Sequence, residues 1–270
     1  MQITRIEKSG RPIEDRHGVA QGRIENEDSL APSQGQGESQ AFTRCELLVV
    51  LSILTLLGIL AVPVLANNRA RSDHVVCQSN LRQIGHAFIS WADDHGGTFP
   101  FLMSRATGGN NDIVLCNNAW FQYYWLSNEL MTPRILACPA DTEKRVSDDW
   151  SASPVSGFNH SNARDKSCSY PLAIGTRQSP HGLLSGDRNI KPTNRNTGGC
   201  AAGPLYGGVA SLNATSPTLD WMSGLHQYSG NLLLNDGSVL SAGRDELRRT
   251  VQNSVAPGGT LCVLYPLPTP

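Results

Sequence analysis

Residues 41–66 read AFTRCELLVVLSILTLLGILAVPVLA, and this stretch decides the fold class. Its second part, Leu47–Ala66, is 20 residues long and contains no charged side chain. At 1.5 Å per residue, a helix of that length spans about 30 Å, which matches the hydrocarbon core of a bilayer. The segment therefore predicts one membrane-spanning helix over residues 47–66. Glu46 stands immediately before it, and a carboxylate there needs a partner because charge near hydrocarbon is costly.

Two simpler interpretations of the apolar segment stay open. It could be a plain membrane anchor, with Glu46 as an incidental flanking charge. It could also be a cleaved secretory signal that ends at Ala66, although the apolar part of such signals is usually about 7–15 residues long. Basic residues flank both ends, with Arg44 before the span and Arg69 after it, so loop charge does not fix the orientation.

The residues before the span follow a recognisable order: a small residue, Phe, Thr, two further residues, Glu and then the long apolar helix. This order resembles the type IV prepilin and pseudopilin signal. The resemblance implies that a prepilin peptidase cuts between Ala41 and Phe42 and methylates the new amine. Glu46 would then pair with the N-terminal ammonium group of a neighbouring subunit during assembly. Ala41 stands where the family usually has glycine, and Arg44 and Cys45 replace two apolar residues.

The domain organisation follows from this signal. Residues 1–41 are expected to be a leader, part of which, APSQGQGESQ at 31–40, has the composition of a disordered linker. Residues 42–95 are expected to form the N-terminal helix, with its membrane-spanning part at 47–66. Residues 96–270 are expected to form an exported globular head. The resemblance places the chain in a bacterial inner membrane, with the N-terminus in the cytoplasm and the head periplasmic or otherwise extracytoplasmic.

Apolar side chains continue at helical spacing beyond the span. They recur at intervals of four, three, four and three residues: Cys77, Leu81, Ile84, Phe88 and Trp91. This stripe predicts that the helix continues to about Asp94, packs on the head and ends at Gly96-Gly97. Pro63 lies inside the helix and predicts a kink there because proline removes a backbone hydrogen bond.

Three further motifs follow in order: C-x-x-N-L-R-Q-I-G from Cys77, C-P-x-D from Cys138, and a histidine separated from Asp-Gly by nine residues. Together they resemble a bacterial pseudopilin-like subgroup named for its processing-associated H-X9-DG motif, here His226 with Asp236 and Gly237. On this resemblance, with Cys77 on the apolar stripe, we expect a Cys77–Cys138 disulfide.

The H-X9-DG region also has a direct structural interpretation. Residues 230–234 (GNLLL) and 239–242 (VLSA) predict two strands, joined by a turn with Asp236-Gly237 at its tip. His226 is then expected to hydrogen-bond the turn or a neighbouring strand end. The alternative is a metal site that combines His226 with Asp236. Few carboxylates suited to Ca²⁺ are visible, so we expect no metal or cofactor and keep Ca²⁺ as the alternative.

Composition and motifs limit the remaining function classes. The formal net charge is −1, which gives no basic footprint for nucleic acid. Seven cysteines include no C-x-x-C pair, so a zinc ribbon or thioredoxin-like site is not expected. The G-x-S-x-G, H-E-x-x-H and Walker A motifs are missing as well, so no enzyme is expected.

The sequence thus predicts an α+β protein, with a long N-terminal transmembrane and stalk helix packed on a small antiparallel sheet. The resemblance implies a pilin-like or pseudopilin structural subunit, processed by a prepilin peptidase and assembled with other subunits into a pilus or type II secretion-like pseudopilus. Two alternatives stay open. One is a membrane-tethered exported binding or hydrolytic domain that does not polymerise, and the other is a secreted enzyme released after Ala66.

Overall fold

The computed structural model describes residues 43–113, 115–175, 179–195 and 208–266. The chain divides into two compact units, residues 1–52 and 53–270. Ala41, Phe42 and the expected leader lie outside the described residues.

Four helices and nine strands make up the described chain. The helices are α1 (Arg44–Asp94), α2 (Ala119–Trp125), α3 (Ser127–Leu130) and α4 (Arg244–Ser254). The strands are β1 (Leu172–Ile174), β2 (Leu183–Gly186), β3 (Ile190–Lys191), β4 (Asn194–Arg195), β5 (Gly208–Leu212), β6 (Asp220–Trp221), β7 (Gly230–Leu234), β8 (Val239–Ala242) and β9 (Leu261–Tyr265). Short 3₁₀ helices cover Pro100–Leu102, Arg105–Thr107, Pro133–Leu136 and Arg164–Ser167.

The expected long helix is present as α1, and its assignment continues through Pro63 without a break. It ends where the Gly96-Gly97 pair predicted, since both glycines have left-handed backbones, with φ of 66° and 78°. The backbone N–H of Gly97 donates to the carbonyl of Ala92, which closes the last turn.

The first part of α1 is apolar and unburied. Among the described residues, one helical window, Arg44–Ala61, is long and apolar enough to cross a membrane, and none of its residues is buried. Eleven large apolar side chains between Leu47 and Leu60 are exposed by 45% to 71%.

The later part of α1 is packed on a sheet. Every residue of the predicted stripe from Cys77 to Trp91 is buried, none of them exposed by more than 5%. They share one core with sheet residues such as Leu172 and Leu233.

The sheet is antiparallel throughout and larger than the small sheet that the sequence predicts. Within the described residues it has seven strands in the order β4-β5-β9-β1-β2-β7-β8, and β3 pairs with β6 separately. Successive residues of a strand join different cores: Leu233 faces the α1 side, whereas Leu232 packs with Leu247 and Val251 of α4. A helix therefore covers each face of the sheet, and its central strands are buried on both sides.

The predicted hairpin is confirmed. β7 and β8 have the expected bounds and pair antiparallel, with Leu233 opposite Val239. Gly237 has φ 81°, and the Asp236 carboxylate accepts hydrogen bonds from the backbone N–H and hydroxyl of Ser238.

Candidate functional site

The start of α1 gives Glu46 a partner that the sequence analysis missed. The Glu46 carboxylate accepts hydrogen bonds from the Thr43 backbone N–H at 2.8 Å and from its hydroxyl at 2.9 Å. The Thr43 hydroxyl in turn accepts from the Glu46 backbone N–H at 3.2 Å. This reciprocal pair is a capping box, whose T-x-x-E signature is visible in the sequence.

A second candidate site is buried in the head, where the three sequence motifs meet. A disulfide joins Cys77 of α1 to Cys138 of the C-P-x-D element, the pairing expected from the resemblance. Asn80, one turn after Cys77, donates to the carbonyl of Ala137 at 3.3 Å. The first two motifs are therefore tied together by a covalent bond and a buried hydrogen bond.

Asp187 brings a carboxylate to this disulfide. It follows β2 directly, its side chain is fully buried, and its Oδ2 accepts from the backbone N–H and side-chain amide of Asn231 at 2.7 and 2.9 Å. The antiparallel pairing of β2 with β7 places the two residues together. The other oxygen, Oδ1, is buried and has no hydrogen-bond partner among the described residues.

His226 completes the cluster from the loop that precedes β7. Its side chain is 3% exposed, and its Nε2 lies 3.5 Å from Oδ2 of Asp187 and 3.6 Å from Sγ of Cys138. His226 thus reaches a neighbouring strand end, one of the two positions expected for it. The donor atoms of Cys77, Cys138, Asp187 and His226 all lie within 4.8 Å of one another.

The loop that carries His226 has an unusual backbone. His226, Gln227 and Tyr228 all have positive φ, at 42°, 50° and 59°. Left-handed backbone costs non-glycine residues about 1–2 kcal/mol each. Asn189 offsets part of this cost, because its amide donates to the carbonyls of Met222, Leu225 and Ser229, at 3.1, 2.9 and 2.8 Å.

Burial governs the charges of the cluster. Desolvation raises the pKa of Asp187 to about 7, against the opposing effect of its hydrogen bonds from Asn231. Desolvation, helped by the nearby His74, lowers the pKa of His226 to about 4. His226 is therefore a neutral imidazole at neutral pH, with one ring nitrogen free of a proton.

An open cleft lies beside the cluster and reaches it at His226. It has a volume of about 680 Å³ and is lined by both His74 and His226, among other residues. The two imidazole rings meet edge to face, with their centroids 4.7 Å apart. His226 is therefore the cluster member that lines this cleft.

The carboxylate of the C-P-x-D element has a structural partner. Arg188, the residue after Asp187, donates to both oxygens of Asp141, from Nε at 2.5 Å and from Nη2 at 2.6 Å. The Asp141 side chain is 1% exposed and that of Arg188 is 19% exposed, so the carboxylate of this bidentate pair is buried and the guanidinium is partly buried. The hydrogen bond to Asp141 is the main cause that raises the pKa of Arg188.

The alternative metal site of His226 with Asp236 is not assembled. The four-donor cluster contains Asp187 and leaves out Asp236. The physical reason is the length of β7, since five residues of strand separate the turn from the His226 loop by about 16 Å. The Asp-Gly turn instead packs on α1, where a Cβ on Gly85 would lie 3.2 Å from Cα of Gly237.

Sequence reasoning missed three residues of this region: His74, Asp187 and Arg188. The sequence did offer one signal: the charged residues Asp187 and Arg188 directly follow the buried strand LLSG of β2. Their convergence on Cys138 and His226 depends on long-range pairing, which spacing along the chain does not reveal.

Comparisons with protein-family models, with curated proteins and with solved structures found no match. The functional argument therefore depends on the geometry and on the motifs described above. Chemically, the buried cluster offers two sulfur atoms, a carboxylate and a neutral imidazole, and the start of α1 offers a single carboxylate on an apolar helix.

Proposed function

We propose that this chain is a pilin-like structural subunit of a bacterial inner membrane, which assembles through the apolar half of α1. The observation that carries the proposal is the complete exposure of that half, residues 44–61, next to a helical half that is packed on a sheet. Burial of a large aliphatic side chain is worth about 1.5–3 kcal/mol. Eleven such exposed side chains therefore require lipid, or the helices of other subunits, around them.

Glu46 supports assembly rather than simple anchoring. The two Thr43 donors both bond Oε2, so Oε1 is available for a further donor. The prepilin-like signal supplies one, because cleavage before Phe42 would create an N-terminal ammonium group on each neighbouring subunit. A carboxylate at the membrane edge is then neutralised only in the assembled state.

The proposed processing and topology follow the same signal. A prepilin peptidase removes residues 1–41 and methylates Phe42, the N-terminus lies on the cytoplasmic side, and the α+β head lies outside the membrane. The partners are other pilin or pseudopilin subunits of a pilus or a type II secretion-like pseudopilus. The role is structural, and the chemistry on Phe42 belongs to the peptidase.

Substitutions at Glu46 separate assembly from helix capping. Glu46→Gln retains a side chain that can close a capping box with Thr43 but removes the charge, whereas Glu46→Ala removes both. We expect both variants to insert in the membrane and both to be lost from filaments or from subunit cross-links in cells. Cys45→Ala, a change at the exposed neighbouring residue, should assemble normally.

The alternatives give different outcomes. If Glu46 only caps the helix, Glu46→Gln will assemble like the unmodified protein, and the charge-pairing role is wrong. If the chain is a tethered domain that never polymerises, the unmodified protein will itself give no subunit cross-links.

A further inference from the structure

We propose that the buried cluster of Cys77, Cys138, Asp187 and His226 is a zinc site in the reduced protein, so that a disulfide and a metal ion are alternative occupants of one position. This inference is independent of filament assembly. The four residues come from α1, from the C-P-x-D element, from the end of β2 and from the loop before β7.

The donor set suits zinc. Two thiolates, an imidazole and a carboxylate are ligands that Zn²⁺ accepts in four-coordinate sites. Thiolates disfavour Ca²⁺ and Mg²⁺, which bind oxygen ligands. The spacing C-x-x-C, common in zinc ribbons, is not needed here because tertiary structure brings the two cysteines together.

Two distances from His226 already match the edges of a tetrahedral site, and all donor atoms of the cluster lie within 4.8 Å of one another. With Zn–N near 2.05 Å, Zn–O near 2.1 Å and Zn–S near 2.3 Å, a tetrahedron has N···S and N···O edges of about 3.6 and 3.4 Å. The observed distances from Nε2 of His226 are 3.6 Å to Sγ of Cys138 and 3.5 Å to Oδ2 of Asp187. The two sulfur atoms have to separate to about 3.8 Å, and donor pairs that lie up to 4.8 Å apart have to close to tetrahedral edges.

A second observation, on the other oxygen of the same side chain, points to a cation beside Asp187. Oδ1 of Asp187 is buried without a hydrogen-bond partner among the described residues, which is costly for a carboxylate oxygen. A cation beside this carboxylate compensates its buried charge. The cleft lined by His74 and His226 adjoins the cluster at His226, and Asn231 and Asn189 already hold the carboxylate and the His226 loop in place.

The exchange of occupants is balanced. A dithiol reductant breaks the Sγ–Sγ bond, becomes a disulfide itself and leaves two thiols on Cys77 and Cys138. Zn²⁺ then binds both sulfurs as thiolates, and their two protons pass to solvent. Either occupant ties α1 to the C-P-x-D element, so the same clamp exists in reducing and in oxidising compartments.

The test uses the full-length protein in detergent, with Co²⁺ as a spectroscopic probe for zinc. After reduction and removal of the reductant, we expect one Co²⁺ per chain with tetrahedral d–d bands and thiolate-to-cobalt charge transfer. The unreduced protein should lack the charge-transfer band. Mutation of even an outer-shell partner commonly weakens metal binding by about tenfold or more. His226→Asn, in which asparagine tolerates left-handed backbone, and Asp187→Asn should therefore each weaken Co²⁺ binding by more than about tenfold.

His86→Asn is the matched control, because His86 is an exposed residue of α1 and should bind Co²⁺ like the unmodified protein. Free thiols also occur at Cys45, Cys116 and Cys168, and reduction frees the disulfide-bonded Cys262 as well, so dependence on His226 is what assigns the signal. Equal binding by His226→Asn, or no thiolate band in the reduced protein, would overturn the proposal.

Reduction can also lower stability, so a second measurement is thermal unfolding of the reduced protein. Zn²⁺ should raise its midpoint for the unmodified protein and for His86→Asn but not for His226→Asn.

Discussion

Three consecutive residues, from His226 to Tyr228, hold left-handed backbone conformations. Gln227 is exposed and has φ 50°, so glycine there would relieve steric strain. Glycine also increases the entropy of the unfolded chain, which cancels part of the gain from relieved strain. We therefore expect Gln227→Gly to raise the free energy of unfolding by about 0.5–1 kcal/mol. Urea unfolding with the disulfide intact measures this.

The same substitution in α1 is the control. Gln83 is exposed in the middle of a helix, and Gln83→Gly should lower the free energy of unfolding by about 1 kcal/mol. A destabilisation of similar size at both positions would mean that the His226 loop carries no strain.

The buried pair of Asp141 and Arg188 should be sensitive to loss of one partner. Arg188→Met leaves the Asp141 carboxylate buried without its counter-ion, and we expect a loss of about 3–5 kcal/mol in the free energy of unfolding. Arg134→Met removes the guanidinium of an exposed pair, with side chains 64% and 53% accessible, and should cost less than about 1 kcal/mol. Comparable losses in the two variants would show that Asp141 is relieved in another way.

At the scale of elements, the H-X9-DG hairpin is held against α1 at a glycine. A Cβ on Gly85 would lie 2.7 Å from Cδ1 of Leu233 and 3.2 Å from Cα of Gly237. Gly→Ala normally stabilises a helix by about 1 kcal/mol, but here the hairpin must move, and we expect a net loss of about 1–3 kcal/mol. Thermal unfolding of the head measures it.

Gly58 is the matched position on the same helix, because a Cβ there would meet nothing within 4 Å. Gly58→Ala should leave unfolding of the head unchanged. A stabilised Gly85→Ala variant would contradict the close packing of helix and hairpin.

The disulfide closes a long loop between two elements of the cluster. Cys77 and Cys138 are 61 residues apart, and closure of such a loop is worth about 4 kcal/mol when the constraint on the unfolded chain is considered. We expect the double variant Cys77→Ser, Cys138→Ser to lose about that much stability in metal-free buffer. Cys116→Ser, at a half-buried free thiol, should lose far less. Equal losses would argue against a bridge that stabilises the head.

Local periodicity predicted the elements that have clear patterns. The stripe from Cys77 to Trp91 and the hairpin around Asp236-Gly237 both follow from spacing and turn chemistry. The seven-stranded extent of the sheet does not, because strands such as β2 and β9 are buried on both faces and show no alternation. The contact of Asp187 with His226 depends on pairing between distant strands, so it became visible only in three dimensions.

At the scale of the whole molecule, apolar side chains are distributed in two ways. Those of the head are buried on both faces of the sheet, whereas those between Leu47 and Leu60 are exposed. This contrast is the observation that supports the proposal that lipid and other subunits surround the exposed helix.

The most direct test of a pilin-like subunit is the N-terminal residue of the membrane-bound protein, determined by mass spectrometry in cells with and without a prepilin peptidase. We predict N-methylated Phe42 when the peptidase is present and the uncut chain when it is missing. An uncut N-terminus in both would contradict the pilin pathway and favour a tethered domain, and a start near Asn67 would identify a secreted one.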